Sequence, residues 1–287
     1  MKVPKTFLVI LFQVLIVLIC GCQNQKSESL VPKDKIYAWC IVPYDSLNRT
    51  PVERIKMLKE LGIDKYAYDW RNDDQKDTKQ ELLLAKENNI TVKSLWMWID
   101  SQWDTINKLN PSNEKIFNII EEANYKGQIW VSFHSNYFEN LTDSLAVDKG
   151  VEMISYLNNR AKKLDCSLAL YNHGDWFGEP KNQIKIIKEL PEANIGLVYN
   201  FHHAHHQVDA FPTLLEDMLP YLQAVNLSGI KKGGPKILPI GQGHHELEML
   251  KLLQAKGYAG EYGILGHVED ADVKEVLKEN LKGLHIH

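Results

Sequence analysis

TPVERIKMLKELGIDKYAYDW, residues Thr50 to Trp70, holds one complete helix-then-strand unit. Thr50 can cap the first unbonded N–H groups, Pro51 takes the first helical position where a missing N–H costs nothing, and Gly62 is the stop. Val52, Ile55, Leu58 and Leu61 recur at helical spacing and predict one apolar stripe. After the stop, KYAYDW (65–70) becomes a β-rich run that ends on Asp69 and Trp70.

The same unit recurs along the chain. Strand runs are IYAWCIV (36–42), KYAYDW (65–70), TVKSLWMWI (91–99), QIWVSFH (128–134), SLALYN (167–172), IGLVYN (195–200), LQAVNL (222–227) and YGILGH (262–267). Amphipathic stretches such as NEKIFNIIEEA, PKNQIKIIKEL and ELEMLKLLQAKG fill the gaps. Strands alternating with helices call for parallel pairing through right-handed crossovers. Eight such units over roughly 250 residues predict a single (β/α)8 TIM barrel, with a doubly wound open sheet as the rival.

Ahead of the barrel stands a targeting segment. Lys2 and Lys5 precede an apolar run from Phe7 to Cys20, broken only by Gln13. That run is shorter than the roughly 18 residues a membrane-spanning helix needs, and it fits the apolar region of a secretory signal. LICGC (18–22) resembles a bacterial lipobox, which implies cleavage before Cys22 and lipidation of its thiol. The expected organisation is a lipoprotein signal over 1–21, a flexible polar tether over 22–35 and the barrel over 36–287. The expected location is the periplasmic side or outer surface of a bacterial membrane, held by the lipid.

The net charge is −4, and losing Lys2 and Lys5 makes the mature chain more acidic, which argues against a nucleic-acid partner. Cys40 and Cys166 remain after the leader and read as two buried thiols rather than a disulfide framework. No glycine-rich nucleotide-binding signature is present, so no nucleotide cofactor is expected.

Barrels of this kind place their chemistry at the C-terminal ends of the strands. Those ends are rich in polar and aromatic residues: Asp69, Trp70 and Arg71; Trp96 and Trp98; His134; Asn172 and His173; Asn200 and the run HHAHH; Asn226; His267. His173, His134 and Glu179 are the candidate acid–base groups. Trp70 and Trp176, flanked by polar residues, are candidate stacking faces for sugar rings, with Asp69, Arg71 and Lys93 as possible charged members.

LALYNHGDWFGEP, IGLVYNFHHAHH, AVNLSGI and LPIGQG with GYAGEYGILGH together resemble the xylose isomerase-like TIM barrels, also known as sugar phosphate isomerase/epimerase or AP endonuclease family 2 barrels. LKELGIDKYAYDW matches the family's entry into its second strand. The resemblance spans the barrel and implies aldose–ketose isomerisation or epimerisation of a carbohydrate, with a divalent metal at the mouth. The family's ligands are a Glu, an Asp, a His and a Glu on strands five to eight. Those positions hold Tyr171 or Asn172, Asn200, Asn226, and Gly266 or His267 in this chain. Asn172, Asn200 and Asn226 are then expected to bind substrate, the amides of Asn200 and Asn226 suiting sugar hydroxyls or a metal. His173, His203, His205 and His267 are the substitute ligand set for one zinc, cobalt, nickel, manganese or iron ion. The implied activity is proton abstraction next to a carbonyl, as isomerase, epimerase, lyase or hydratase. A sugar-binding lipoprotein without catalysis and a metallo-phosphodiesterase of the AP endonuclease type are the alternatives.

Overall fold

Eight parallel strands close on themselves in chain order in the computed structural model, which describes residues 29–71 and 75–285. They are β1 Ile36–Trp39, β2 Lys65–Tyr68, β3 Thr91–Ile99, β4 Gln128–Phe133, β5 Ser167–Tyr171, β6 Gly196–Asn200, β7 Leu222–Leu227 and β8 Glu261–Leu265. Pairing of β1 with β8, from Ile36 opposite Tyr262 to Trp39 opposite Leu265, completes the barrel and excludes the open sheet. The covering helices are α1 Pro51–Leu61, α2 Thr78–Glu87, α3 Pro111–Glu122, α4 Asp143–Lys163, α5 Pro180–Lys188, α6 Phe211–Met218, α7 Glu246–Ala255 and α8 Val273–Gly283.

The opening unit folds as its residues dictate. The Glu53 N–H donates to Thr50 Oγ1 at 3.4 Å while the Thr50 N–H donates to Glu53 Oε2 at 2.9 Å, a reciprocal cap. Gly62 ends α1 at φ 65°, where a Cβ would be strained. The stripe differs at one end: Val52 stays exposed, whereas Arg54 turns inward. Burial of Arg54 is tolerated because its Nε donates to Glu81 Oε1 of α2 at 2.7 Å, and the Tyr66 hydroxyl donates to the same oxygen at 3.1 Å.

Strand residues alternate between two cores. Outward residues pack under the helices, and the inward set is unusually aromatic: Tyr37, Trp39, Trp96, Trp130 and Tyr171. An eight-stranded interior has little spare volume, so large rings require small neighbours. Ala67, Ala169, Ala224 and Gly263 provide that space. A Cβ at Gly263 would lie 2.1 Å from Asn226 Oδ1 and 2.6 Å from a Tyr37 ring carbon.

Polar groups close the N-terminal end of the barrel. Lys65 and Lys93 both pair with Glu261, at 2.7 and 2.5 Å, and Gln128 Nε2 donates to Gln223 Oε1 at 2.6 Å. Lys93 is therefore at the opposite end from the candidate chemistry, since it enters β3 rather than leaving it. Residues 29–35, expected as the last part of the tether, are docked: Val31 is buried, and the Leu30 N–H donates to Leu284 O at 3.1 Å. The proposed signal and lipidation site at Cys22 lie outside the described residues. No helix among the described residues is long and apolar enough to cross a membrane. Cys40 and Cys166 are both buried and unpaired, as expected; Cys40 follows the end of β1 and Cys166 precedes β5, at opposite ends of the barrel.

Candidate active site at the barrel mouth

A nearly continuous circuit of rings lies over the C-terminal ends of the strands. Beyond β2, the Trp70 Nε1–H donates to Trp96 O at 2.8 Å, and the Arg71 guanidinium sits 4.0 Å from the Trp96 ring centroid. Arg71 also donates to the Tyr44 hydroxyl at 3.3 Å. Tyr44 stacks on His267 with ring centroids 3.4 Å apart. The circuit continues from His267 to His202 at 5.7 Å, to His203 at 4.5 Å and to His173 at 4.2 Å. His173 meets Trp98 edge to face at 4.7 Å, and Trp98 meets Trp96 at 5.1 Å. His134 lies on the other side of Trp98 at 5.8 Å.

Against the Trp70, Trp96, Trp98 and His173 side of this circuit opens a cleft of 710 Å³, lined also by Arg71 and Asp100. A second cleft of 540 Å³ adjoins His203 and carries Glu179 and His206 on its edge. Trp70 and His173, both singled out in the sequence, thus line one cavity.

The histidines of the circuit are neutral near pH 7. Burial pushes His173 down to about 4, with the charges of Arg71 and the neighbouring histidines acting in the same direction. His202 also falls to about 4 through burial, although its bond to the Lys236 carbonyl opposes the fall. Burial lowers His203 well below the usual range, and it lowers His267 despite the Glu269 carboxylate 2.9 Å away. The Nδ1 atoms of His173 and His134 are buried without a hydrogen-bond partner among the described residues. In His173, which burial keeps neutral, the fold thus leaves part of the ring's hydrogen-bonding capacity unused.

Of the three amides expected at the substrate, Asn172 and Asn200 are committed to the fold through both side-chain atoms, and Asn226 through its oxygen. Asn172 Oδ1 accepts from the Asn200 N–H at 2.6 Å, and its Nδ2 donates to Asn200 O at 3.2 Å, clamping β5 to β6. Asn200 Oδ1 accepts from the His202 N–H at 3.0 Å, and its Nδ2 donates to the Tyr171 hydroxyl. Asn226 Oδ1 accepts from the Tyr37 hydroxyl at 2.6 Å. All three are at most 1% exposed, because the aromatic interior rises to their level. Asp69 is likewise fully buried, beside the Cys40 thiol, which burial and this carboxylate push upward.

The substitute metal set does not assemble. His205 turns to the loop after β7, its two ring nitrogens 2.8 and 3.1 Å from the carbonyls of Lys231 and Lys236. His267 is paired with Glu269, which leaves His173 and His203 as the adjacent members. Among the described residues, no group of three or more His, Cys, Asp or Glu side chains could hold a metal ion. The family's ligand positions are occupied by a close-packed polar layer in which the Trp39 Nε1–H donates to the Tyr171 hydroxyl at 3.0 Å. These residues do not fit the divalent metal that the fold family implies.

Two further expectations change. Trp176 packs on Phe138, centroids 4.7 Å apart, and its Nε1–H donates to Asp143 Oδ1 at 3.0 Å, so it faces α4 and not the aromatic cleft. Glu179 precedes α5 but gives its oxygens to His206 at 2.7 Å and to Gln207 Nε2 at 2.9 Å. The fold brings in Tyr44 and His202 and keeps Arg71 at the cleft, as a charged member should be placed. Arg71 was legible as a charged residue directly after a strand end. His202 was not, since its burial depends on the loop after β7 covering it.

No protein-family model and no curated protein matches the chain. Several solved structures do. One is 3-keto-D-glucoside 4-epimerase, YcjR, from E. coli, with a TM-score of 0.65 and 18% identity over 87% of this chain and 98% of that one. The IOLI protein with a binding zinc atom has a TM-score of 0.66 and 12% identity over 87% and 96% of the two chains. D-psicose 3-epimerase in the presence of D-fructose has 0.62 and 13% over 88% and 99%. At such identities the likeness shows the fold alone: this chain is a closed (β/α)8 TIM barrel, and its mouth carries a cluster of histidine and aromatic side chains.

Proposed function

We propose that the protein is an isomerase- or epimerase-like enzyme that acts on a carbohydrate or keto-sugar by moving a proton next to a carbonyl. One observation carries this reading: His173, neutral and with an uncommitted ring nitrogen, lines a tryptophan-walled cleft at the C-terminal ends of the strands. Tryptophan faces suit the apolar C–H faces of a pyranose. The sugar epimerases among the structural neighbours support the same substrate class.

In this reading His173 accepts the proton α to the carbonyl, and the Arg71 guanidinium on the same cleft offsets the charge that develops on the enediolate oxygen. Burial disfavours the imidazolium, so His173 returns the proton readily, as isomerisation and epimerisation require. A leaving group β to the same carbanion would turn the step into elimination. No step runs through a metal, because the donor set at the mouth does not fit one.

Solvent deuterium exchange into a panel of keto-sugars, followed by NMR, tests the assignment. Incorporation by the wild type that is lost in His173→Ala supports it. Tight sugar binding with no exchange sinks it in favour of a second reading, a sugar-binding protein without turnover. The amides buried at the family's ligand positions favour that second reading.

The leader sequence supports export and lipid anchoring at Cys22. Membrane fractionation of the full-length chain and of Cys22→Ser checks this, with the variant expected in the soluble fraction.

A further inference from the structure

The aromatic cleft extends outward past the rim, and its outer wall is Trp103, 65% exposed. An exposed tryptophan on a flexible loop would mean little. This one is on a loop built around a buried carboxylate. Asp104, 3% exposed, accepts from the Asp100 N–H at 2.8 Å, the Asn110 N–H at 2.8 Å and Asn110 Nδ2 at 2.9 Å. Asn113 Nδ2 donates to the same carboxylate at 3.2 Å and to the Trp98 carbonyl at 2.8 Å, tying the loop to the rim of the inner cleft. The Trp103 N–H itself donates to Asp100 O at 3.2 Å. A buried, fully bonded carboxylate thus fixes the course of the loop that carries this exposed indole, and the indole lines the same cavity as His173.

We propose that Trp103 is the platform of a second sugar subsite, so that the substrate is a glycoside or oligosaccharide with one ring at His173 and the next on Trp103. The 710 Å³ cavity extends from the inner tryptophans to this residue. Its outer part alternates an aromatic face with polar groups, Asp100 and Ser112, which is the pattern a pyranose presents with its C–H faces and equatorial hydroxyls. The loop's rigidity matters because a preorganised face binds without a further ordering cost. This inference rests on the carbohydrate reading of the cleft and is independent of turnover.

Titration calorimetry on the full barrel, with glucose, galactose and xylose against cellobiose, maltose and lactose, tests it. At least one disaccharide is expected to bind about tenfold more tightly than its component monosaccharides. Trp103→Ala should erase that preference while leaving monosaccharide affinity intact, and Trp103→Phe should restore part of it. Equal affinity for one and two rings, an equal loss on both in Trp103→Ala, or no saccharide binding would overturn the proposal. Deuterium exchange separates it from the enzymatic reading. Exchange without disaccharide preference removes the subsite alone, and disaccharide preference without exchange removes the enzyme alone.

Discussion

The two ends of the barrel treat polar side chains in opposite ways. At the N-terminal end the charged and amide groups are matched, with Ser94 Oγ the unpartnered exception: Lys65 and Lys93 share Glu261, Gln128 meets Gln223, and the Trp130 Nε1–H donates to Gln128 Oε1 at 3.0 Å. At the C-terminal end His134 Nδ1, His173 Nδ1, Asn226 Nδ2 and Ser228 Oγ are buried with no partner among the described residues. Leaving a buried polar atom unsatisfied costs about 1–3 kcal/mol, so four at one end mark a region where stability was given up. The bottom holds the barrel closed, and the mouth keeps hydrogen-bonding capacity for something else.

The largest expected effect breaks the mouth. His173→Ala should cut deuterium exchange by about 10²–10⁴, the usual contribution of an acid–base group, while thermal unfolding shows a near-native midpoint. A large loss of stability with no kinetic defect would make His173 a structural histidine instead. Glu81→Ala sharpens the contrast from the wall side. It leaves Arg54 buried and unpaired and should cost about 3–5 kcal/mol in denaturant unfolding, with the cleft's sugar affinity unchanged once the protein is folded.

The pH profile comes next. His173 and His202 sit at about 4 when folded, against about 6.5 when unfolded, so the unfolded chain takes up protons first as pH falls. Their contribution is complete above about 6.5 and is lost progressively down to about 4, on the order of a few kcal/mol in total. Chemical denaturation from pH 7 to 4 should show this slope, and His202→Asn should flatten it. An unchanged slope would place the acid sensitivity elsewhere. The smallest effect is expected at Glu179. Because its carboxylate is held by His206 and Gln207 in the adjoining cleft, Glu179→Gln should change exchange rates by less than about threefold, far below the His173 effect.

Much of this was legible from residues read in order. Strand–helix alternation, the Thr50–Glu53 cap and the Gly62 stop follow from local chemistry, and each was met within a few residues of its expected place. His173 and Trp70 were found because they end strands, and a barrel carries all its strand ends to one face. Trp176 and the three asparagines also end strands or follow them closely, yet they turn elsewhere. Position along a strand says which end a residue belongs to, but not whether its side chain meets solvent or a neighbour. Asn172, Asn200 and Asn226 are consumed because Tyr37, Trp39 and Tyr171 fill the barrel up to their level, a matter of packed volume that no single motif records.

The sequence by itself determined the (β/α)8 architecture, the helix boundaries and the face on which the strand-end residues gather, since these depend on periodicity, caps and the handedness of crossovers. Tertiary structure alone decided which histidines converge. His202, His203 and His205 lie within one short run, but a 3-10 turn over Phe201–His203 carries His202 under the loop after β7 and His203 onto His173, while His205 is drawn to that loop's carbonyls. His202 and His205 thus meet at the Lys236 carbonyl, while His203 between them goes to His173. Burial then keeps His202 and His203 neutral, because the cost of an imidazolium depends on what surrounds it in space and not on what precedes it in sequence.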